Sequence, residues 1–185
     1  MNHSKRLFIS IDLPEKVKKE INRIQQLLKQ KDLFRGNYVN AQHAHITLKF
    51  LGDVEESLIP EIIKRLQTIK YQPMNAHISN LDFFQSRGKI PKVLFINVEC
   101  PELISLAKRI DELLAEQFPP EKRSFTTHVT VARIRDVHNI EAFSDFMKTI
   151  KVEPLEFDIT SFILKSSKLT SDGPVYTDIE SFNLY

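Results

Sequence analysis

Two segments of the chain share one pattern of residue types, His45-Ile46-Thr47-Leu48 and His128-Val129-Thr130-Val131. Side chains alternate between the two faces of an extended strand, so His and Thr share a face in each segment. The apolar residues between and after them, Ile46 and Leu48 or Val129 and Val131, turn the other way, toward a core. Each strand then carries an imidazole and a hydroxyl about 6.6 Å apart on a rigid support. Six His and nine Thr in 185 residues give about 0.3 His-x-Thr pairs by chance, and roughly 0.03 once an apolar branched or aromatic residue must follow each. Finding two is a signal.

Two histidines facing one cleft suit general acid–base catalysis, since near neutral pH one can be neutral and the other protonated. A phosphodiester fits them well. One imidazole takes a proton from the attacking oxygen and the other protonates the leaving oxygen. Thr47 and Thr130 can hydrogen-bond the non-bridging oxygens and steady a pentacoordinate phosphorus. Such a site calls for no metal and no cofactor. Two other readings stand beside it. His43-Ala44-His45 puts two imidazoles on one strand face, as a metal site can begin, but no third ligand is tied to the pair in sequence. A nucleotide- or RNA-binding module without catalysis would reuse the same cleft, although binding alone does not require two titrating groups.

The elements that must position these residues are legible from periodicity. Residues 5–12 read as a strand with Leu7, Ile9 and Ile11 on one face, and Pro14 opens a helix carrying Val17, Ile21, Ile24 and Leu28 through Lys31. Residues 34–40 form a turn or short strand. Residues 44–51 alternate as a strand closed by Gly52-Asp53. A second helix is expected over 56–69, with Pro60 in its first turn. Strands over 75–84 and 92–99 flank a turn at Arg87-Gly88. Pro101 opens a third helix that Phe118-Pro119-Pro120 ends. A strand over 127–134, a short helix over 140–150, and strands over 156–165 and 174–182 complete the chain, the last two joined at Ser171-Asp172-Gly173-Pro174. Strands and helices intermingle, with spacings that favour antiparallel pairing, so the fold class is α+β. A strand–helix–strand order recurs around each histidine motif and hints at two related lobes. No linker divides residues 1–185 into independent domains.

Composition sets outer bounds. Twenty-six basic and 24 acidic side chains leave a formal charge of +2, enough for a nucleotide or an RNA end but without the basic excess of a protein that wraps long duplexes. Cys100 is the only cysteine, which excludes an internal disulfide and a thiolate metal cluster. Neither a leader sequence nor an apolar run of membrane-spanning length is visible, so a cytoplasmic location is expected; a monomer is expected as well. P-loop, G-x-G-x-x-G and G-x-S-x-G motifs are missing from the sequence, against ATP-dependent ligases, dinucleotide enzymes and serine hydrolases. Lys165, Lys168, Arg87 and Lys89 are candidates to line an RNA path.

Over nearly its whole length the sequence resembles the 2H phosphoesterases, in particular their RNA 2′,3′-cyclic phosphodiesterase (2′–5′ RNA ligase-like) branch. The resemblance rests on Arg6-Leu7-Phe8-Ile9-Ser10-Ile11 with Leu13-Pro14, on His45-Ile46-Thr47-Leu48-Lys49-Phe50-Leu51-Gly52, and on Phe125-x-x-His128-Val129-Thr130-Val131-Ala132-Arg133. The C-terminal Leu164-Lys165-Ser166-Ser167-Lys168-Leu169 and Gly173-Pro174-Val175-Tyr176 complete it. Thr127 departs from the Pro that many relatives carry before the second His. The resemblance implies two pseudo-symmetric lobes of antiparallel sheet flanking a cleft, with helices outside. It implies metal-free opening of RNA-terminal or nucleotide 2′,3′-cyclic phosphates to 2′-phosphomonoesters. His45 would be the proton donor, His128 the proton acceptor, and Thr47, Thr130 and Arg133 the phosphate binders. Arg133 has the opposite parity to His128, so a regular strand would turn it away from the cleft. 2′–5′ RNA ligation and hydrolysis of a small cyclic nucleotide remain open as alternatives within the class.

Overall fold

A computed structural model describes residues 4–86, 90–120, 124–171 and 173–185. The strands are β1 (Ser4–Asp12), β2 (Phe34–Tyr38), β3 (His45–Glu55), β4 (Met74–Gln85), β5 (Pro91–Glu99), β6 (His128–Val137), β7 (Glu156–Ile159), β8 (Ser161–Thr170) and β9 (Gly173–Asn183). The helices are α1 (Glu15–Lys31), α2 (Ile59–Leu66), α3 (Pro101–Leu113) and α4 (Ile140–Thr149). The fold is α+β. Its strands join in one curled antiparallel sheet, ordered β7-β4-β5-β6-β3-β1-β8-β9, with β2 added against β6.

Two halves meet at the centre of that order. β1, β3, β8 and β9 make one and β4, β5, β6 and β7 the other, and the recorded β3–β6 pairing is the single register Ile46↔Val129. The core forms where the apolar strand faces meet the helices. Leu7, Ile9 and Ile11 of β1 and Val17, Ile21, Ile24 and Leu28 of α1 belong to one buried cluster, all at most 2% exposed. Leu103, Leu106 and Ile110 of α3 are fully buried in the same cluster. Sequence periodicity predicted these faces, because burying an apolar helix stripe against an apolar strand face is the main favourable term available to both. Cys100 is buried here too, and burial pushes its thiol pKa up, which suits packing rather than nucleophilic attack.

The motif strands are not regular. On β3, Ile9 pairs with Lys49 and Ser10 with Thr47, leaving Leu48 as an extra residue. On β6, Leu94 pairs with Ala132 and Phe95 with Thr130, leaving Val131 extra. Both are β-bulges, three residues after the histidine, and a bulge reverses which parity faces the core. The burial pattern follows: Ile46 and Leu48, then Lys49 and Leu51, are buried on β3, and Val129 and Val131, then Ala132 and Ile134, on β6.

Several boundaries differ from the sequence reading. The expected single strand over 156–165 breaks at Thr160. β7 pairs with β4 through Met74↔Ile159, whereas β8 crosses to the other half and pairs with β1 and β9. The Thr160 carbonyl is taken by the Leu184 N–H at 2.8 Å instead of a ladder partner. The second helix is shorter than expected, because residues 56–58 form a 3₁₀ turn before α2. The expected turn at Arg87-Gly88, and Asp172 of the last turn, lie outside the described residues. Among those described, no helix is long and apolar enough to cross a membrane.

Candidate active site

His45 and His128 are the first residues of β3 and β6, and their surroundings repeat. The His45 Nδ1 lies 2.8 Å from the His43 carbonyl, and the His128 Nδ1 lies 2.7 Å from the Thr126 carbonyl. A carbonyl oxygen only accepts, so each Nδ1 carries the hydrogen and each Nε2 is left with its lone pair or an exchangeable proton. Each ring is also wedged between two aromatics. Phe8 and Tyr176 flank His45, at 4.9 and 5.3 Å between centroids; Phe95 and Phe84 flank His128, at 5.1 and 5.0 Å.

This packing sets the electrostatics. Burial lowers the pKa of both histidines, partly opposed by the carbonyl each Nδ1 contacts. The Arg133 guanidinium lowers both further. His45 also has Lys165 pushing its pKa down and Asp12 pulling it up, and among the described residues no carboxylate acts in this way on His128. Thr47 and Thr130 are half-buried on the face opposite to Ile46 and Val129, the face of their histidines.

Arg133 corrects the parity expectation. The extra residue Val131 reverses the alternation, so Arg133 is exposed between buried Ala132 and Ile134 and shares the face of His128 and Thr130. Phe50 holds the same position in the other half, five residues after His45 and beyond its own bulge, and is 58% exposed. Of the suggested RNA-path residues, Lys165 is buried and ion-paired with Asp12 at 3.1 Å and Asp178 at 2.5 Å. Lys168 is exposed; Arg87 and Lys89 lie outside the described residues. His43 sits in a 3₁₀ turn with its ring 5.8 Å from Tyr176. No group of three or more potential metal ligands converges among the described residues. His77 pairs with Glu99 at 3.1 Å.

The site therefore offers two imidazoles with fixed tautomers, two hydroxyls and one guanidinium on one face. Comparisons with known proteins give the family. The model of the 2′-5′ RNA ligase superfamily matches residues 13–168. This chain belongs to that superfamily. Its family is also called the 2H phosphoesterases. Among its relatives, the RNA 2′,3′-cyclic phosphodiesterase of Aquifex aeolicus is 35% identical over 90% of this chain and 92% of its own. That of Methanothermobacter thermautotrophicus is 33% identical over 97% and 98%. A solved structure from Thermus thermophilus superposes with a TM-score of 0.78, at 27% identity and 97% coverage of both chains. E. coli LigT, solved with 3′-AMP, shares the fold at a TM-score of 0.76 and 21% identity, over 98% of this chain and 99% of that one.

Within this superfamily member, sequence reasoning missed the aromatic walls and Phe50. Tyr176 reaches His45 only because β9 folds back beside β8, which no local pattern announces. Phe50 did carry a signal, since it stands at the same offset from its histidine as Arg133. Beside His45 lies a cavity of about 120 Å³ whose lining includes Asp12, Lys18, Gln42, Lys165 and Tyr176.

Proposed function

We propose that this phosphoesterase hydrolyses RNA-terminal 2′,3′-cyclic phosphates to 2′-phosphomonoesters, with its own side chains moving both protons and no metal taking part. The observation that carries the reading is the matched pair of histidines whose Nδ1 atoms are tied to backbone carbonyls 2.8 and 2.7 Å away. Each Nε2 is thereby directed to proton transfer. His128 accepts a proton from water as the oxygen attacks phosphorus. The P–O3′ bond breaks, and His45 delivers its proton to the departing O3′. Thr47, Thr130 and Arg133 hold the non-bridging oxygens, whose charge grows in the pentacoordinate state. The charges around the rings do not by themselves divide these roles: on His45 Lys165 and Arg133 act against Asp12, and on His128 Arg133 favours the neutral form. The division of labour follows the direction of reaction that the family resemblance implies. Exposed Phe50 on the same face gives a nucleobase a ring to stack on. The relatives named RNA 2′,3′-cyclic phosphodiesterase support the substrate class.

The test is incubation in EDTA with a short RNA ending in a 2′,3′-cyclic phosphate, alongside His45→Ala and His128→Ala. The expected result is a 2′-phosphate product formed by the wild type and by neither variant. Turnover that survives loss of either histidine, or that EDTA abolishes, would overturn the mechanism.

A further inference from the structure

Arg133 faces the cleft only because of the bulge at Val131, and that bulge is held from a distant part of the chain. Gln25 lies in the middle of α1 and is 4% exposed. Its Nε2 donates to the Val131 carbonyl at 3.0 Å and to the Val39 carbonyl at 2.7 Å. The Val39 N–H donates to the same Val131 oxygen at 3.0 Å. Both hydrogens of one buried amide are therefore spent where β6 departs from regular pairing.

We propose that Gln25 is a positioning residue for Arg133, clamping the Val131 bulge that turns the guanidinium into the cleft. This rests on the reading of Arg133 as a phosphate binder. A one-residue change of register exchanges the faces of a strand. In a regular β6, Arg133 would take the parity of Val129 and Val131 and point into the core, away from the phosphate. The Val131 carbonyl at the bulge already accepts from the Val39 N–H and has a second lone pair to satisfy. Gln25 fills that second site and ties the Val39 carbonyl to it, so the bulged arrangement is the fully satisfied one. The other half is braced reciprocally. Lys49, next to the extra residue Leu48, is buried and bonds Asp111 of α3 and the Pro119 carbonyl. Each helix thus secures the bulge of the opposite half, α1 that of β6 and α3 that of β3.

The experiment is a double-mutant cycle on kcat/KM for a 2′,3′-cyclic phosphate substrate, using Gln25→Met, Arg133→Ala and the double variant. Met keeps the volume of Gln and removes its donors. The expectation is a loss on the order of tenfold or more for Arg133→Ala, the size of a lost charge-assisted hydrogen bond. Gln25→Met should lose on the order of tenfold by the same reasoning, and should add nothing once Arg133 is gone. Thermal melts establish that each variant is folded. Should Gln25→Met not fold, Gln25→Asn, one methylene shorter and unable to span both carbonyls, takes its place in the cycle. An equal loss from the Gln25 change in both backgrounds would make Gln25 a general structural residue and overturn the inference alone, as would wild-type kcat/KM in the Gln25 variant. Wild-type kcat/KM in Arg133→Ala would instead overturn the phosphate reading, and this inference with it.

Discussion

Ile46 of β3 and Val129 of β6 are direct cross-strand partners, and both are fully buried. Each immediately follows the histidine of its motif, so this pairing sets the two motifs side by side and antiparallel. Beyond it the strands part, β6 taking β2 as its neighbour from Ala132 onward. The relation between the two imidazoles thus depends on one junction at the middle of the sheet.

Replacing Ile46 with Ala should weaken that junction. Removing a fully buried aliphatic side chain of this size costs about 2–5 kcal/mol. Urea denaturation monitored by circular dichroism would report it as a lower midpoint. An unchanged midpoint would mean that the halves are held together elsewhere.

Both imidazoles of the site should titrate below the ordinary value of 6.5, because burial and the Arg133 charge favour their neutral forms. Removing a nearby positive charge makes protonation easier, so Arg133→Ala should raise both values. Proton NMR titration of the ring Cε1 hydrogens reads this directly, and values that stay put would place the guanidinium away from the rings. The same depression links to stability. The folded state binds fewer protons at these groups than the unfolded one, so stability is full above about 6.5 and falls as pH drops toward the folded values.

Lys165 distinguishes the two histidines, since its charge depresses His45 and is not among the influences on His128. Lys165→Met should raise the His45 pKa alone. If His45 is the proton donor, the alkaline limb of the kcat/KM profile moves up and the acid limb stays. Movement of the acid limb instead would reverse the assignment of acid and base.

Gly36 of β2 lets that strand approach β6 at Arg133. A Cβ there would lie 2.3 Å from the Arg133 carbonyl oxygen, a backbone atom with little room to yield. Gly36→Ala should cost about 1–3 kcal/mol of stability, the usual range for overpacking, and lower kcat/KM by displacing Arg133. Thermal melts and steady-state kinetics on one preparation check both. A fully stable, fully active variant would show that β2 does not constrain Arg133.

Phe50→Ala should weaken binding of base-bearing substrates by about 1–3 kcal/mol, the range for loss of one base–aromatic stack. A cyclic phosphate on a base-free ribose should be processed equally by variant and wild type. Equal losses on both substrates would give Phe50 a structural role.

Local sequence was enough to pick out the candidate catalytic pair and the face on which it acts. His-x-Thr in an alternating strand places imidazole and hydroxyl together by local geometry alone, with Ile46 and Val129 turned inward. The elements were legible for the same reason, since the apolar spacings of β1, α1 and α3 depend on nothing beyond their own segments. Whatever depends on distant partners was settled only by folding. Sequence parity alone does not give the facing of Arg133, because the bulge at Val131 is braced by Gln25, 106 positions away. Residues 156–165 look like one continuous strand in sequence because nothing local reveals that Ile159 pairs with Met74 while Ser161 pairs with Asn183. The sequence around Tyr176 suggests a hairpin and no role for the ring, since its contact with His45 requires β9 to lie beside β8 and β8 beside β1. Strand periodicity is a short-range property of the backbone. Register, bulges and neighbouring strands are set by hydrogen bonds and packing between segments that meet only once the chain has folded.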